Sequence, residues 1–296
     1  MPIPRRAAFA ALLLPGSLAA QDNPFAFTGG SVKTAYIVYE MSGGKQQQQA
    51  AAAGTYEIGV APDRWIIRMS MPFDMGGKKD TLHTLAISTK DSQYTYNRMG
   101  SQGSEAKVSP TLRPHLAREY AALDAAAKMR FRQNVRLATE MGGGSDADAF
   151  VTLFGEKTGS ETIAGHKCDV YRWKKSSACV IPGAPMVMLR WMDPDQGVTL
   201  VAKKVTLNGP IPPALGVLPK GVQWKKSPEP KDADFITNVW ALKHQDKPAA
   251  GPPAVMAKDV VRYLASAQAA AELKEMGAGQ SNEAEESGEA TDSSNQ

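Results

Sequence analysis

The chain has 296 residues, a formal net charge of +4, 43% hydrophobic residues and two cysteines. Its charge is spread out, with no Lys/Arg block of the kind that grips nucleic acid, so a nucleic-acid partner is excluded. The last twenty residues hold five acids (Glu283, Glu285, Glu286, Glu289 and Asp292) and no base, which leaves a moderately basic body suited to an acidic partner or an anionic surface.

The N-terminus comes first as an address. Arg5 and Arg6 precede the apolar run 7–14 and then Ser17-Leu18-Ala19-Ala20, the layout of a secretory signal peptide over 1–20 with cleavage after Ala19 or Ala20. The apolar run is far shorter than the ~20 residues that cross a bilayer, and no cysteine follows for acylation. A soluble periplasmic or secreted protein with no transmembrane segment after signal removal is expected. The body that remains is long enough to bury the core of one large β domain, assigned to 31–245.

From Lys33, Ala35, Ile37, Tyr39 and Met41 alternate with Tyr36, Val38 and Glu40, which reads as a strand. A low-complexity connector of glycine, glutamine and alanine leads to further strands at 55–60, 64–71, 82–89 and 93–98. Turn residues separate them, so sequential antiparallel hairpins are the economical topology. Leu112, Leu116, Tyr120, Leu123, Ala127, Phe131 and Val135 then recur at steps of four and three. This predicts one inserted amphipathic helix over 111–140, capped by Thr111 and ended by Gly142 to Gly144. Its polar face carries Arg113, Arg118, Arg130, Arg132 and Arg136, either a solvated face or a dock for an acidic partner.

A short helix at 145–154 and strands at 162–174, 185–192, 197–207 and 235–243 follow. The loop 209–220 holds four prolines with Ile211, Leu215, Val217 and Leu218; it either packs over the sheet or offers a contact surface. After a linker at 246–253, an alanine-rich helix spans 254–276, and the acidic tail 277–296 is expected to be disordered.

Chemistry-bearing motifs are sparse. His83, His115, His166 and His244 lie in separate segments, and there is no G-x-S-x-G, Walker loop or dinucleotide-binding glycine motif. The reading is non-enzymatic, with no cofactor and no metal. Asp193 and Asp195 in Asp-Pro-Asp-Gln-Gly suit a tight turn better than a Ca²⁺ site. Cys168 and Cys179 most simply pair as a disulfide in an oxidising compartment, with a metal site using His166 and Cys168 as the sharper alternative. Trp65, Trp173, Trp191 and Trp224 sit beside cations, so on a strand they point inward while the cations meet water; an anionic-headgroup surface is the other possibility. Met41, Met69, Met71 and Met75 fit either a core or an adaptable apolar cavity.

Two stretches carry a resemblance: Ser31-Val32-Lys33-Thr34-Ala35-Tyr36-Ile37-Val38-Tyr39-Glu40-Met41, and 159–171 with its Glu-Thr-Ile-Ala-Gly-His-Lys-Cys-Asp-Val-Tyr segment. Together they resemble uncharacterised exported proteins similar to the periplasmic lipoprotein carriers of the LolA/LolB-like superfamily. The resemblance implies a mainly β, α+β fold: a curved antiparallel half-barrel whose concave face is covered by a long helix, plus a C-terminal helix. It also implies an apolar cavity, which in the carriers holds acyl chains. The expected function is non-catalytic binding of an apolar or amphiphilic ligand, with Trp65, Met69, Met71, Tyr94 and Trp191 lining the cavity. The alternatives are an envelope protein-interaction module without a small ligand and, less favoured, an exported hydrolase.

Overall fold

A computed structural model describes residues 23–43, 54–75, 78–100, 104–141, 155–194, 197–228 and 252–275. Two antiparallel meanders share one sheet. The first runs through β1 (Ala35–Gly43), β2 (Thr55–Ala61), β3 (Arg64–Met75), β4 (Lys78–Thr89), β5 (Ser92–Met99) and β6 (Ser104–Pro110). The second runs through β7 (Glu156–Ile163), β8 (His166–Trp173), β9 (Ser176–Val180), β10 (Met188–Asp193) and β11 (Val198–Leu207). β1 pairs with β11, and the two-residue β12 (Lys225–Lys226) adds in parallel to β6, giving an open sheet in the order β12-β6-β5-β4-β3-β2-β1-β11-β10-β9-β8-β7. The helices are α1 (Arg113–Ala121), α2 (Ala125–Met141), α3 (Pro253–Ala265) and a short α4 at 268–275. The chain is thus mainly β with helices. The signal peptide, the strand at 235–243, the short helix at 145–154, most of the 246–253 linker and the tail lie outside the described residues.

Four sequence expectations are corrected by local chemistry. The single helix over 111–140 is two helices, because the Asp124 carboxylate accepts the Ala127 backbone N–H at 2.7 Å and starts α2 afresh. Thr111 does not cap α1; its hydroxyl donates to the Lys90 carbonyl, and Leu112 takes the cap position with no side-chain bond. The helix over 254–276 breaks in the same way at Ser266, whose Oγ accepts the Ala269 N–H at 3.2 Å. The strand at 162–174 is in fact a hairpin. Ala164 and Gly165 have φ of 49° and 81°, the pair of positive values that a tight two-residue turn between strands requires.

Residues paired across antiparallel strands lie on one face of the sheet, so the register assigns two faces. On the first, Tyr171, Trp173, Ala178 and Val180 from β8 and β9 pack against the helices. The same face holds Ile37, Tyr39, Ile58, Val60 and Leu200, buried in a second cluster with Leu189 and Ala202. The helix layer is built around Phe25, Tyr120 and Phe131, each fully buried, with ring centroids 5.2–5.9 Å apart in edge-to-face pairs. α3 adds Met256, Val260, Val261 and Leu264, so the C-terminal helix is part of the core.

The arginines of the helix layer are structural. Arg130 Nε donates to the Ala265 carbonyl at 2.8 Å, and Asn134 Nδ2 donates to the carbonyls of Leu264 and Ser266, which satisfies the C-terminus of α3. Arg136 stacks 4.9 Å from the Trp173 ring and pairs with Glu156; Arg132 donates to the Tyr120 hydroxyl; Arg113 reaches the Met186 sulfur. Arg118, paired with neighbouring Glu119, faces water.

On the other face Ile66, Leu85 and Ile87, with Tyr36, Tyr94 and Tyr96, are covered by residues 209–227, which cross the sheet as a strap from β11 to β6. Leu215 is 2% exposed beneath it. The crossing depends on Gly59, where a Cβ would stand 2.8 Å from Leu215 Cδ2 and 2.9 Å from Ile211 Cγ2. Trp224 meets Tyr94 edge-on at 5.6 Å, after which β12 seals onto β6. The proline-rich loop therefore packs on the sheet.

The β7 end bends. Cα atoms of β7 come within 8 Å of β11, although a flat sheet would hold strands four places apart at about 19 Å. Cys168 and Cys179 form a disulfide between β8 and β9, Cα atoms 5.4 Å apart. Arg190 on β10 spans to Glu161 on β7, with contacts of 2.5 and 2.9 Å. The register places both partners on the disulfide's face, opposite the helices.

Candidate functional site

The helix-side face changes character along the first meander. On β1 to β3 it is apolar, with Ala35, Ile37, Ile58, Val60, Trp65, Ile67, Met69 and Met71. On β4 the corresponding residues are Leu82, Thr84, Ala86 and Ser88; on β5 they are Gln93, Thr95 and Asn97; on β6 they are Glu105, Lys107 and Ser109. Strands β4 to β6 have turned their apolar side, Leu85, Ile87, Tyr94 and Tyr96, toward the strap. An apolar floor thus runs into a polar wall on one continuous surface.

That wall forms a recess of about 250 Å³ lined by Gln93, Thr95, Asn97, Glu105, Lys107 and Ser109. One cross-strand row leads into it: Trp65 pairs with Ser88, Ser88 with Gln93, and Gln93 with Ser109. Three atoms of this row, Trp65 Nε1, Ser88 Oγ and Gln93 Oε1, are buried without a hydrogen-bond partner among the described residues. Ser88 is 1% exposed. A buried polar atom left unmet costs ~1–3 kcal/mol, so three in one row form a feature that a ligand or ordered water would relieve.

Glu105, Lys107 and Lys225 set the electrostatics. Lys107 hydrogen-bonds Glu105 and, by that bond and its charge, holds the Glu105 carboxyl below the usual carboxylate range, with Lys225 adding to the effect. At the apolar end Tyr39 and Tyr56 meet edge-on at 5.5 Å, and Tyr39 donates to the Met188 carbonyl at 2.5 Å. Burial, with Tyr56 beside it, pushes the Tyr39 hydroxyl well above its ordinary value. Burial also pushes Tyr56 up to about 12, so neither ring introduces charge.

Of the residues expected to line a cavity, Trp65, Met69 and Met71 share this face. Trp191 lies on the same face but on β10, packed between the helix layer and the β1–β2 cluster. Tyr94 is on the opposite face under the strap, because odd positions of β5 and not even ones point to the helix side. Sequence reasoning missed Ser88, Gln93 and Ser109. Their signal was polar residues at every second position of strands whose alternate positions are apolar. Asp193 and Pro194 form the β10–β11 turn, where the Gly197 N–H bonds the Pro194 carbonyl at 3.2 Å. Among the described residues no three His, Cys, Asp or Glu side chains gather as a metal site, and no helix is long and apolar enough to cross a membrane.

No protein-family model and no curated protein matches the chain. Among solved structures it is similar to an uncharacterized conserved protein from Thermus thermophilus, at 9% identity and a TM-score of 0.35 over 67% of this chain and 92% of that one. It is also similar to PNGF-II, at 8% identity and a TM-score of 0.34 over 70% of this chain and 33% of that one. At these scores neither likeness bears on function.

Proposed function

We propose that the chain is an exported, non-catalytic binding protein for an amphiphilic ligand, with the ligand's apolar part on Trp65, Ile67, Met69 and Met71 and its polar part at the β5–β6 recess. In this reading the helix side of β1 to β6 is the hollow of a LolA/LolB-like half-barrel. The observation that carries the proposal is the apolar floor continuing into the row of unmet buried polar atoms, since a ligand with one apolar and one polar end matches that surface. The Cys168–Cys179 bridge supports residence in an oxidising compartment. Affinity would come from apolar area withdrawn from water at roughly 25 cal/mol per Å², less the costs of ordering.

Mild purification from the native host, followed by solvent extraction and mass spectrometry, tests this. One amphiphile in stoichiometric amount is expected; protein repeatedly empty sinks the proposal. The adaptor reading has less support, because the arginines of α1 and α2 are largely engaged within the protein and Leu215 is buried. Val217, 56% exposed, is the large apolar side chain that the strap leaves outward.

A further inference from the structure

We infer that the polar end of this site takes an uncharged, hydroxyl-rich headgroup such as a single sugar ring. The inference rests on the amphiphile reading and names its headgroup class. The three unmet atoms differ in what they require. Trp65 Nε1 only donates, Gln93 Oε1 only accepts, and Ser88 Oγ between them does either. Gln93 lines the recess itself, and Ser88 and Trp65 follow it across adjacent strands at about 5 Å per step, so a ring that enters from the recess and parts the packing over Ser88 meets consecutive members of the row.

Headgroup classes then separate by their donors and acceptors. A phosphate or carboxylate only accepts; it would answer Trp65 and leave the Gln93 oxygen unmet. A quaternary ammonium has no N–H to give and accepts nothing, so it would answer none of the three. A hydroxyl donates and accepts, and meets Gln93 whichever way its amide is turned. Thr95, Asn97 and Ser109 extend the same mixture along the recess.

The two charged residues lining the recess, Glu105 and Lys107, are paired with each other; Lys225, opposite Lys107 across β6 and β12, adds one exposed positive charge at the margin, so octanoate is the stringent competitor. Size agrees. The recess, at about 250 Å³, falls below the roughly 300–1,000 Å³ of pockets that enclose whole ligands. It suits one ring with the rest of the molecule lying elsewhere, as the apolar floor provides.

Calorimetric titration of the full mature chain with octyl glucoside, octanoate, octyltrimethylammonium and free glucose, all below micelle formation, tests the inference. Octyl glucoside is expected to bind at least tenfold more tightly than either charged amphiphile. Ser88→Ala and Gln93→Leu, made singly, should each weaken octyl glucoside at least fivefold, and Gln93→Leu should leave octanoate within twofold. Equal binding of the three amphiphiles overturns the headgroup assignment and keeps the amphiphile reading. Glucose binding as tightly as octyl glucoside keeps the headgroup and overturns the amphiphile reading. Absence of binding by all four overturns both.

Discussion

The two ends of the helix-side face are built from the same kind of strand and finished in opposite ways. At β8 to β10 the sheet is sealed by the chain itself: Tyr171, Trp173, Ala178 and Val180 meet Phe131, Tyr120 and α3, and the arginines above them bond carbonyls, a phenol and a ring. At β3 to β6 the surface is half-buried, and its row from Trp65 to Gln93 holds polar atoms with no internal partner among the described residues. The sealed end also has such atoms, since Trp173 Nε1, Ser177 Oγ and Arg190 Nε are buried without a partner among the described residues, but no two of them are paired across strands, whereas Trp65, Ser88 and Gln93 follow one another along a single cross-strand row.

The largest effect that would sharpen this contrast is Phe131→Ala. It removes a fully buried ring touching Phe25 and Tyr120, and should cost about 3–5 kcal/mol in denaturant unfolding. Ligand affinity of the molecules that remain folded should not change, and a matching loss of affinity would show the two ends to be one unit. Next, Cys168→Ser with Cys179→Ser should cost about 3 kcal/mol for a loop of this length. Reduction of the wild type should reproduce the shift in unfolding midpoint, and an unchanged midpoint would count against a structural bridge.

Third is a pH effect at Tyr171, on the sealed end. Burial, reinforced by the Asp169 charge and opposed by Arg132, pushes the Tyr171 hydroxyl up to about 12, against about 10 in an unfolded chain. The folded state therefore favours the neutral phenol. The associated stability is complete below pH 10 and lost as pH rises through 12, on the order of 2–3 kcal/mol. Unfolding followed between pH 9 and 12 should be less steep with pH in Tyr171→Phe, and an identical slope would remove this residue from the account. The smallest effect has the opposite sign. Ser88→Ala deletes an unmet hydroxyl and should raise stability by up to ~1 kcal/mol in the absence of ligand, while weakening binding. A drop in melting temperature would mean that Ser88 already has a partner in the folded chain.

Neither end was fully legible in the sequence, since β6 at the open end and β9 at the sealed one were both unanticipated. Strands β1 to β5 alternate so regularly from Ala35 to Met99 that period-two patterning located each of them within a few residues. Strands β7 to β9 were run together or missed, because Ala164 adopts a left-handed backbone that only its glycine neighbour advertises, and Ser176 to Val180, buried along its length, shows no alternation. The heptad-like spacing from Leu112 to Val135 was right about which residues are buried and blind to Asp124, whose single carboxylate restarts the helix. For the site, Trp65, Met69 and Met71 could be placed on one face from spacing alone. The row through Ser88 and Gln93 arises from hairpin register, and register is a property of pairs of strands that no one segment contains.

An open twelve-stranded sheet has two borders, and an exposed border is an invitation for identical molecules to stack through backbone hydrogen bonds. Here the strap ends by laying Lys225 and Lys226 against β6, and β7 curls back toward β11 with exposed Glu156, Lys157 and Glu161 along it. Two lysines guard one border and curvature with charge guards the other. The fold can therefore stay unclosed and still resist polymerising with copies of itself.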